Sequence, residues 1–289
     1  MPIVYLNGEY LPLEESRVSV EDRGFLFADG IYEVVRFYGG RPFRLGAHLQ
    51  RLQRSSRQAL LPLHGGVADL PRIIERVRSD NDLQDAEIYV QCTRGPAHPR
   101  GHPFPAQPAP TLLVMPVPIH ALPSGALTRG LSTVTTADIR WRHCDIKSIM
   151  LLPNVMAKQQ ARDQGAFEAI FVRDGVVTEG ASTNVFAVIN GVLRTHPADQ
   201  DILAGISRQV VLELASELGL EADENPFTLD QLYSADEAFL TSTTVEVLPV
   251  SQVDHQPLGG DCPGPRTLRL WQAFQETTAS LSCHTEEMA

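Results

Sequence analysis

The chain has 289 residues, enough for one large domain or two ordinary ones, and with 43% hydrophobic and 20% charged residues it can bury a sizeable core. Its formal charge of −11, from 24 basic against 35 acidic side chains, argues against nucleic acid or an anionic membrane as a main partner. "MPIVYLNGEY" lacks the basic and apolar regions of a secretory signal, and no apolar run nears the roughly 20 residues that span a bilayer, so a soluble cytoplasmic protein is expected.

"PIVYLNGEYLPLEES" has an Asn-Gly turn between short apolar runs and predicts a β-hairpin. Ile31 to Tyr38 is rich in β-branched and aromatic residues and predicts a strand, with Gly39-Gly40 as the next turn. Apolar residues at 45, 49, 52, 59 and 60 have helical spacing, a second helix is expected around 70–78, and "AEIYVQCTRG" predicts a strand. Residues 95–110 contain six prolines and two glycines and can only be a loop, of a length that is usually functional or disordered. "TLLVMPVPI" predicts a strand, and 119–130 a linker. Beyond it come a strand in "LSTVTTADIRW", a helix in "NVMAKQQARDQG" stopped by Gly165, and hairpins turning at Asp174-Gly175 and Asn190-Gly191. A helix over Ser207–Leu218 with Val210, Val211, Leu214 and Leu218 on one face, a strand pair in "EAFLTSTTVEVLPV" and a closing helix in "TLRLWQAFQETTASL" complete the list. The tally is α+β in two domains, 1–118 and 131–289, with no internal repeat. The cysteines at 92, 144, 262 and 283 form no C-x-x-C pair and no Cys/His metal spacing, so no metal is expected.

Positive charge is carried by 22 arginines and only two lysines, Lys147 and Lys158. Lysine forms Schiff bases and shifts its pKa on burial, and arginine does neither, so the amine kept in "CDIKSIMLL" is a candidate nucleophile. The bland alternative is a stem buried on apolar neighbours with its ammonium in water. Lys158, in "AKQQARD", reads as a solvated surface charge. Glu179 ends a hairpin strand, where a single carboxylate is most often an exposed charge. Gly205 and Ser207 open the strongest helix, whose amides and dipole suit a phosphate as well as a simple cap. Hydroxyl residues 241–244, Ser242 and Thr243 among them, and Arg51 on the polar side of its helix are weaker candidates. Arg100 and His102, on the stiff proline-rich loop, could bind a carboxylate through the arginine fork and the imidazole.

Three stretches taken together, "DIRWRHCDIKSIMLLPNVMAKQQA", "VVTEGASTNVF" and "ILAGISRQVV", resemble the fold-type IV pyridoxal-phosphate enzymes, and the resemblance runs from about Ile3 to Phe274. Within that family "FADGIYEVVRFY", the "HLQRL" helix and the R-x-H of "PRGHPFP" are similar to the D-amino-acid (D-alanine) aminotransferases. The resemblance implies a small α/β domain, a larger pseudo-barrel domain, pyridoxal 5'-phosphate as cofactor and a homodimer. Lys147 would form the Schiff base and carry the proton, and Glu179 would hold the pyridine nitrogen protonated so that the ring accepts electrons. Arg51, Gly205, the amides of Ile206 and Ser207, Ser242 and Thr243 would surround the phosphate, and Leu203 would pack on the ring. Tyr32 and Ser182, with Arg100 and His102 from the partner subunit, would receive the substrate. The implied reaction is a ping-pong transamination between a D-amino acid of the D-alanine or D-glutamate type and a 2-oxo acid. Pro153, Ala181 and Arg36 depart from the D-specific pattern, where glycine, serine and lysine are frequent. The rival readings are a branched-chain L-amino-acid aminotransferase, a 4-amino-4-deoxychorismate lyase and a non-catalytic pyridoxal-phosphate-binding protein.

Overall fold

A computed structural model describes residues 1–63 and 67–283; residues 284–289 of the predicted second domain and the side chains of Ser282 and Cys283 lie outside the described residues. The chain divides into two compact units. The first is Met1–Ile119 with Ile146–Met150 and the chain from Thr278; the second is His120–Asp145 with Leu151–Thr277.

In the first unit the hairpin β1 (Ile3–Leu6) and β2 (Glu9–Pro12) turns at Asn7 and Gly8. Both have positive φ, +49° and +107°, the conformation that a tight hairpin demands and that asparagine and glycine tolerate. A short helix that the sequence reading did not foresee, α1 (Arg23–Phe27), follows, capped by Asp22, whose side chain accepts from the Gly24 amide at 2.7 Å. Then come β3 (Gly30–Tyr38), β4 (Arg41–Pro42), α2 (Leu45–Gln58), α3 (Leu70–Ser79), β5 (Ala86–Thr93) and β6 (Thr111–Val117). The sheet is antiparallel, in the order β2-β1-β6-β5-β3-β4.

The period-2 alternation of β3 sorts its side chains. Ile31, Val35 and Phe37 join Ile88, Val90 and Cys92 of β5 in a core closed by Leu52 of α2 and Ile73, Ile74 and Val77 of α3. Each fully buried aliphatic side chain there stabilises the fold by roughly 1.5–3 kcal/mol. Tyr32, Val34 and Arg36 fall on the opposite face, in register with Gln91, Tyr89 and Glu87. On its other side β3 is paired by β4 only at Phe37 and Tyr38. The segment Ile146–Met150 takes up the edge left open: Tyr32 N donates to Lys147 O at 2.9 Å and Ile149 N to Gly30 O at 3.0 Å. The division of the chain therefore differs from 1–118 and 131–289, because this segment's backbone pairs with a strand more than a hundred residues earlier.

The second unit begins with α4 (Ala126–Arg129), inside the stretch expected to be a linker, and β7 (Leu131–Ala137). Its other elements are α5 (Leu152–Asp163), β8 (Glu168–Arg173), β9 (Val176–Gly180), β10 (Asn184–Ile189), β11 (Val192–Thr195), α6 (Ile206–Glu217), β12 (Ala222–Asp223), α7 (Leu229–Tyr233), β13 (Glu237–Ser242), β14 (Glu246–Val253), β15 (Gln256–Pro257) and α8 (Pro265–Cys283), the last turns of which count with the first unit. The nine-stranded sheet runs β12-β11-β10-β13-β14-β7-β8-β9, with β15 beside β14. It curls until β9 comes back against β10, a half-barrel. Strand β7 stops at Ala137 instead of running on to Trp141, because Asp138 turns inward and collects Arg140 and Arg173. One face of the sheet buries Ile170, Val177, Val185, Ala187, Leu240 and Leu248 in one apolar cluster, and Phe186 and Phe239, which alternate with them along β10 and β13, stack at 4.9 Å on the other. Among the described residues no helix is long and apolar enough to cross a membrane.

Candidate active site

Lys147 is held by its own backbone. Its carbonyl accepts from Tyr32 N, its amide donates to Ser55 Oγ of α2 at 3.1 Å, and its neighbour Ile146 is buried in the core. The Nζ atom stands 4.3 Å from the centroid of the Tyr32 ring, and no carboxylate pairs with it among the described residues. An amine that no carboxylate among the described residues engages is available as a nucleophile.

Beneath Tyr32 lies a buried set that the sequence reading missed. Arg51 is not on a polar helix face but buried: its Nε and Nη2 donate to Glu33 Oε1 and Oε2 at 2.7 and 2.8 Å. His48 Nδ1 lies 2.8 Å from Glu33 Oε2. Burial opposes ionisation of Glu33, but Arg51 and His48 overcome it and hold the carboxyl well below its ordinary range. Burial pushes the His48 imidazole down, towards the neutral form. The available signal was one acidic residue on the otherwise apolar inward face of a strand, between Ile31 and Val35.

The proline-rich loop brings Arg100 and His102 to one aromatic ring. Arg100 Cζ lies 4.4 Å and the His102 ring 5.4 Å from the Phe27 centroid. The loop's two ends cross at Gly95, φ +83°, where a Cβ would fall 1.7 Å from Ala109 O, so only glycine fits.

In the second unit Glu179 is buried, not an exposed strand end. Its Oε1 accepts from Arg140 Nη1 at 2.5 Å, and its Oε2 from Asn184 Nδ2 at 3.0 Å and Leu203 N at 3.1 Å. Burial raises the Glu179 carboxyl above its ordinary range, and Arg140 and the Leu203 amide work against that shift. Arg140 is itself fixed by Asp138, through Nε at 2.9 Å and Nη2 at 2.8 Å, and Asp138 by Arg173 at 3.0 Å. Asn184 Nδ2 also donates to Leu203 O at 2.9 Å. Glu179 and Leu203, two of the predicted residues, are thus tied together by Asn184, to which the sequence reading gave no role; its signal was a lone asparagine five residues after Glu179. Next to Leu203, Gly205 is the N-cap of α6 with no side-chain cap, and Ile206 and Ser207 begin the helix. That uncapped end is a place for an anion.

Ser242 and Thr243 lie at the turn from β13 to β14, where Ser242 Oγ accepts from Thr244 N and Val245 N, both at 3.2 Å. The Ser182 hydroxyl donates to Glu168 Oε2 at 2.7 Å. The same buried Glu168 pairs with Lys158 at 3.2 Å, and Lys158 Nζ also donates to Phe167 O at 2.7 Å. Lys158 is therefore a half-exposed partner of a buried carboxylate, not the solvated charge its polar neighbours suggested. Among the departures, Arg36 faces Glu87 at 3.5 Å, Pro153 lies in the first turn of α5, and Ala181 O accepts from Asn154 at 2.8 Å. No cluster of metal-ligating side chains occurs among the described residues.

An unpaired amine, a buried carboxylate with a charged brace and an uncapped helix start are the chemical types that pyridoxal 5'-phosphate requires: one for its aldehyde, one for its ring nitrogen and one for its phosphate. The profile of the family "Amino-transferase class IV" matches residues 30–253. A D-alanine aminotransferase of Bacillus licheniformis is 42% identical over 282 residues, covering 98% of this chain and 99% of its own. One from Staphylococcus epidermidis is 40% identical over 282 residues, covering 98% and 100%. Among solved structures, a branched-chain amino acid aminotransferase of Escherichia coli superposes with a TM-score of 0.89 at 30% identity, over 95% of this chain and 93% of that one. A second branched-chain amino acid aminotransferase, solved with pyridoxamine 5'-phosphate, gives a TM-score of 0.89 at 29% identity, over 96% and 94%. A family match over most of the chain, on top of relatives this similar along nearly their whole length, means that the protein belongs to the class IV aminotransferases, enzymes of fold type IV that depend on pyridoxal 5'-phosphate.

Proposed function

We propose that the enzyme transfers the amino group of a D-amino acid, of the D-alanine or D-glutamate type, to a 2-oxo acid. The reading is carried by Lys147, whose amine lies against Tyr32 with no carboxylate partner among the described residues. The D-specific part draws on the D-alanine aminotransferases similar to this chain and on the convergence of Arg100 and His102 at Phe27.

Pyridoxal 5'-phosphate supplies, when bound, a ring that stabilises negative charge developing at the substrate Cα. Lys147 Nζ would be the point of attachment for the cofactor and, when free, the base that carries the proton from the substrate Cα to the cofactor carbon that takes up the amino group. Glu179, braced by Arg140 and Asn184, would keep positive charge at the pyridine nitrogen. Arg51 of the first unit, oriented by Glu33, and in the second unit the amides of Ile206 and Ser207 beyond Gly205, with Ser242 and Thr243, would be the groups that hold the phosphate. Leu203 would be the apolar side chain for the ring. Tyr32 and Ser182 border the amino acid, and its α-carboxylate is received by the Arg100 and His102 of a second copy in a homodimer. A cytoplasmic location completes the reading.

The test is spectroscopic. Holoenzyme is incubated separately with D- and L-alanine, D- and L-glutamate and L-leucine, and the visible absorption of the bound cofactor is followed. It is expected to fall with the D-amino acids, with 2-oxo acid released. A fall with L-leucine or L-glutamate alone would replace this reading by the branched-chain one, which the solved relatives represent.

A further inference from the structure

The loop that carries Arg100 and His102 is clamped at its base and at its tip by two adjacent residues. Asp22 holds the base: Thr93 Oγ1 and Thr111 Oγ1, from the strands on either side of the loop, both donate to its Oδ2, at 3.0 and 2.6 Å. The Arg23 amide donates to Gly95 O at 3.0 Å. The Arg23 side chain then reaches the tip, where Nη1 donates to Gly101 O at 2.6 Å and Pro103 O at 3.3 Å, and Nη2 to His102 O at 3.1 Å. Its Nε donates to Asp29 Oδ2 at 2.8 Å, the carboxylate that also takes Arg94 Nε at 2.8 Å and Nη2 at 3.0 Å. Arg23 is 4% exposed, so its charge is matched inside the protein and its donors are spent on backbone. One turn further along α1, Phe27 lies 4.9 Å from the Arg23 guanidinium and carries Arg100 and His102 on its ring.

We propose that Arg23 is the positioning residue for the carboxylate receptor: it holds the three consecutive carbonyls of residues 101–103, and through them fixes Arg100 and His102 over Phe27. The inference rests on the reading of Arg100 and His102 as receptor. A planar guanidinium can serve three carbonyls and a carboxylate at once, and a lysine ammonium cannot span that fork. Prolines at 99, 103 and 105 leave the loop little freedom to relax locally, so loss of the clamp displaces the tip as a unit. Displacements on the order of 1 Å at a recognition group can weaken its action roughly 100-fold.

The experiment compares Arg23→Gln and Arg23→Lys holoenzymes with the parent, using D-alanine as donor. KM for the amino acid is expected to rise roughly 10-fold or more, as for loss of a charge-assisted contact, with kcat within about 3-fold and the cofactor absorption unchanged. Arg23→Lys keeps the charge beside Asp29, so it reports the same outcome should the neutral variant not fold; it is expected not to rescue KM. In an Arg100→Gln background, Arg23→Gln should add less than about 2-fold, because both act through one group. An unchanged KM, or a full further rise on top of Arg100→Gln, overturns the proposal. If Arg100→Gln alone leaves KM unaltered, the receptor reading has failed on its own account, and trypsin cleavage after Arg100 then decides. Faster cutting in Arg23→Gln upholds the clamp, and an unchanged rate overturns it.

Discussion

Lys147 and Tyr32 are joined twice: the tyrosine amide donates to the lysine carbonyl at 2.9 Å, and the lysine ammonium stands 4.3 Å from the tyrosine ring. Backbone and side chain are thus placed by one residue of β3, and the amine's position is set by a strand and not by a mobile loop. Lys147→Ala and Lys147→Arg are both expected to lose the visible absorption of the attached cofactor, since a guanidinium forms no exchangeable imine. Turnover should fall by roughly 1,000-fold or more. Turnover near the parent's in either variant would remove Lys147 from the chemistry.

The second lysine answers to a different test. Lys158→Met leaves Glu168 buried beside the Ser182 and Thr183 hydroxyls with its cation gone. Lys158 is 42% exposed, so solvent screens the pair and the loss should be about 1 kcal/mol, a fall in Tm of roughly 2–4 °C. The cofactor absorption should be unchanged, which a spectrum and a melting curve on one sample will check.

Gly205 is needed for a reason that differs from ordinary capping. A Cβ there would lie 2.0 Å from Asn184 Oδ1, and Asn184 is the residue that ties Glu179 to Leu203. Gly205→Ala should therefore push Asn184 aside at a cost of about 1–3 kcal/mol. Equilibrium dialysis of the cofactor should show weaker binding by roughly 10-fold, equivalent to about 1.4 kcal/mol. Binding equal to the parent's would show that Asn184 can move without consequence.

Acid should unfold the protein through its buried carboxylates. Glu33 is held below its ordinary value of 4.5 by Arg51 and His48 against the effect of burial, and Asp29 is likewise held down by Arg94 and Arg23. Below that ordinary value an unfolded chain takes up a proton at Glu33 that the folded chain still refuses. Stability present at neutral pH is thus lost as the pH falls towards the depressed folded value. Urea midpoints measured between about pH 7 and pH 3 should drop steeply for the parent and less steeply for Glu33→Gln. That variant should also be less stable at neutral pH, because the buried Arg51 has lost its counter-charge.

Much of the local structure was legible from residues close together in the chain. Asn7-Gly8, Asp174-Gly175 and Asn190-Gly191 are turns with positive φ throughout, and each was read from its own dipeptide. The helices α2, α3, α5 and α6 were found by apolar spacing, with ends displaced by a few residues. The short helices α1, α4 and α7 were missed, since 4 or 5 residues give no period to detect. What the residues near the site do was harder to see. Arg51 and Lys158 were both read from their neighbours in sequence, yet Glu33, 18 residues from Arg51, and Glu168, folded next to Lys158, decide where their charges lie.

The amino-acid sequence by itself determined the chemical vocabulary: two lysines among 22 arginines, an acidic residue before a glycine, a stiff loop with an arginine and a histidine, and the motifs that mark the family. Those are properties of residue type and short spacing, and they survive without coordinates. Only the tertiary structure decided that Ile146–Met150 pairs with β3, that Asn184 links Glu179 to Leu203, and that Arg23 grips the loop at 101–103. Each of those contacts depends on hydrogen bonds between groups 5 to more than 100 residues apart, whose partners the burial of the two cores selects and no local pattern encodes.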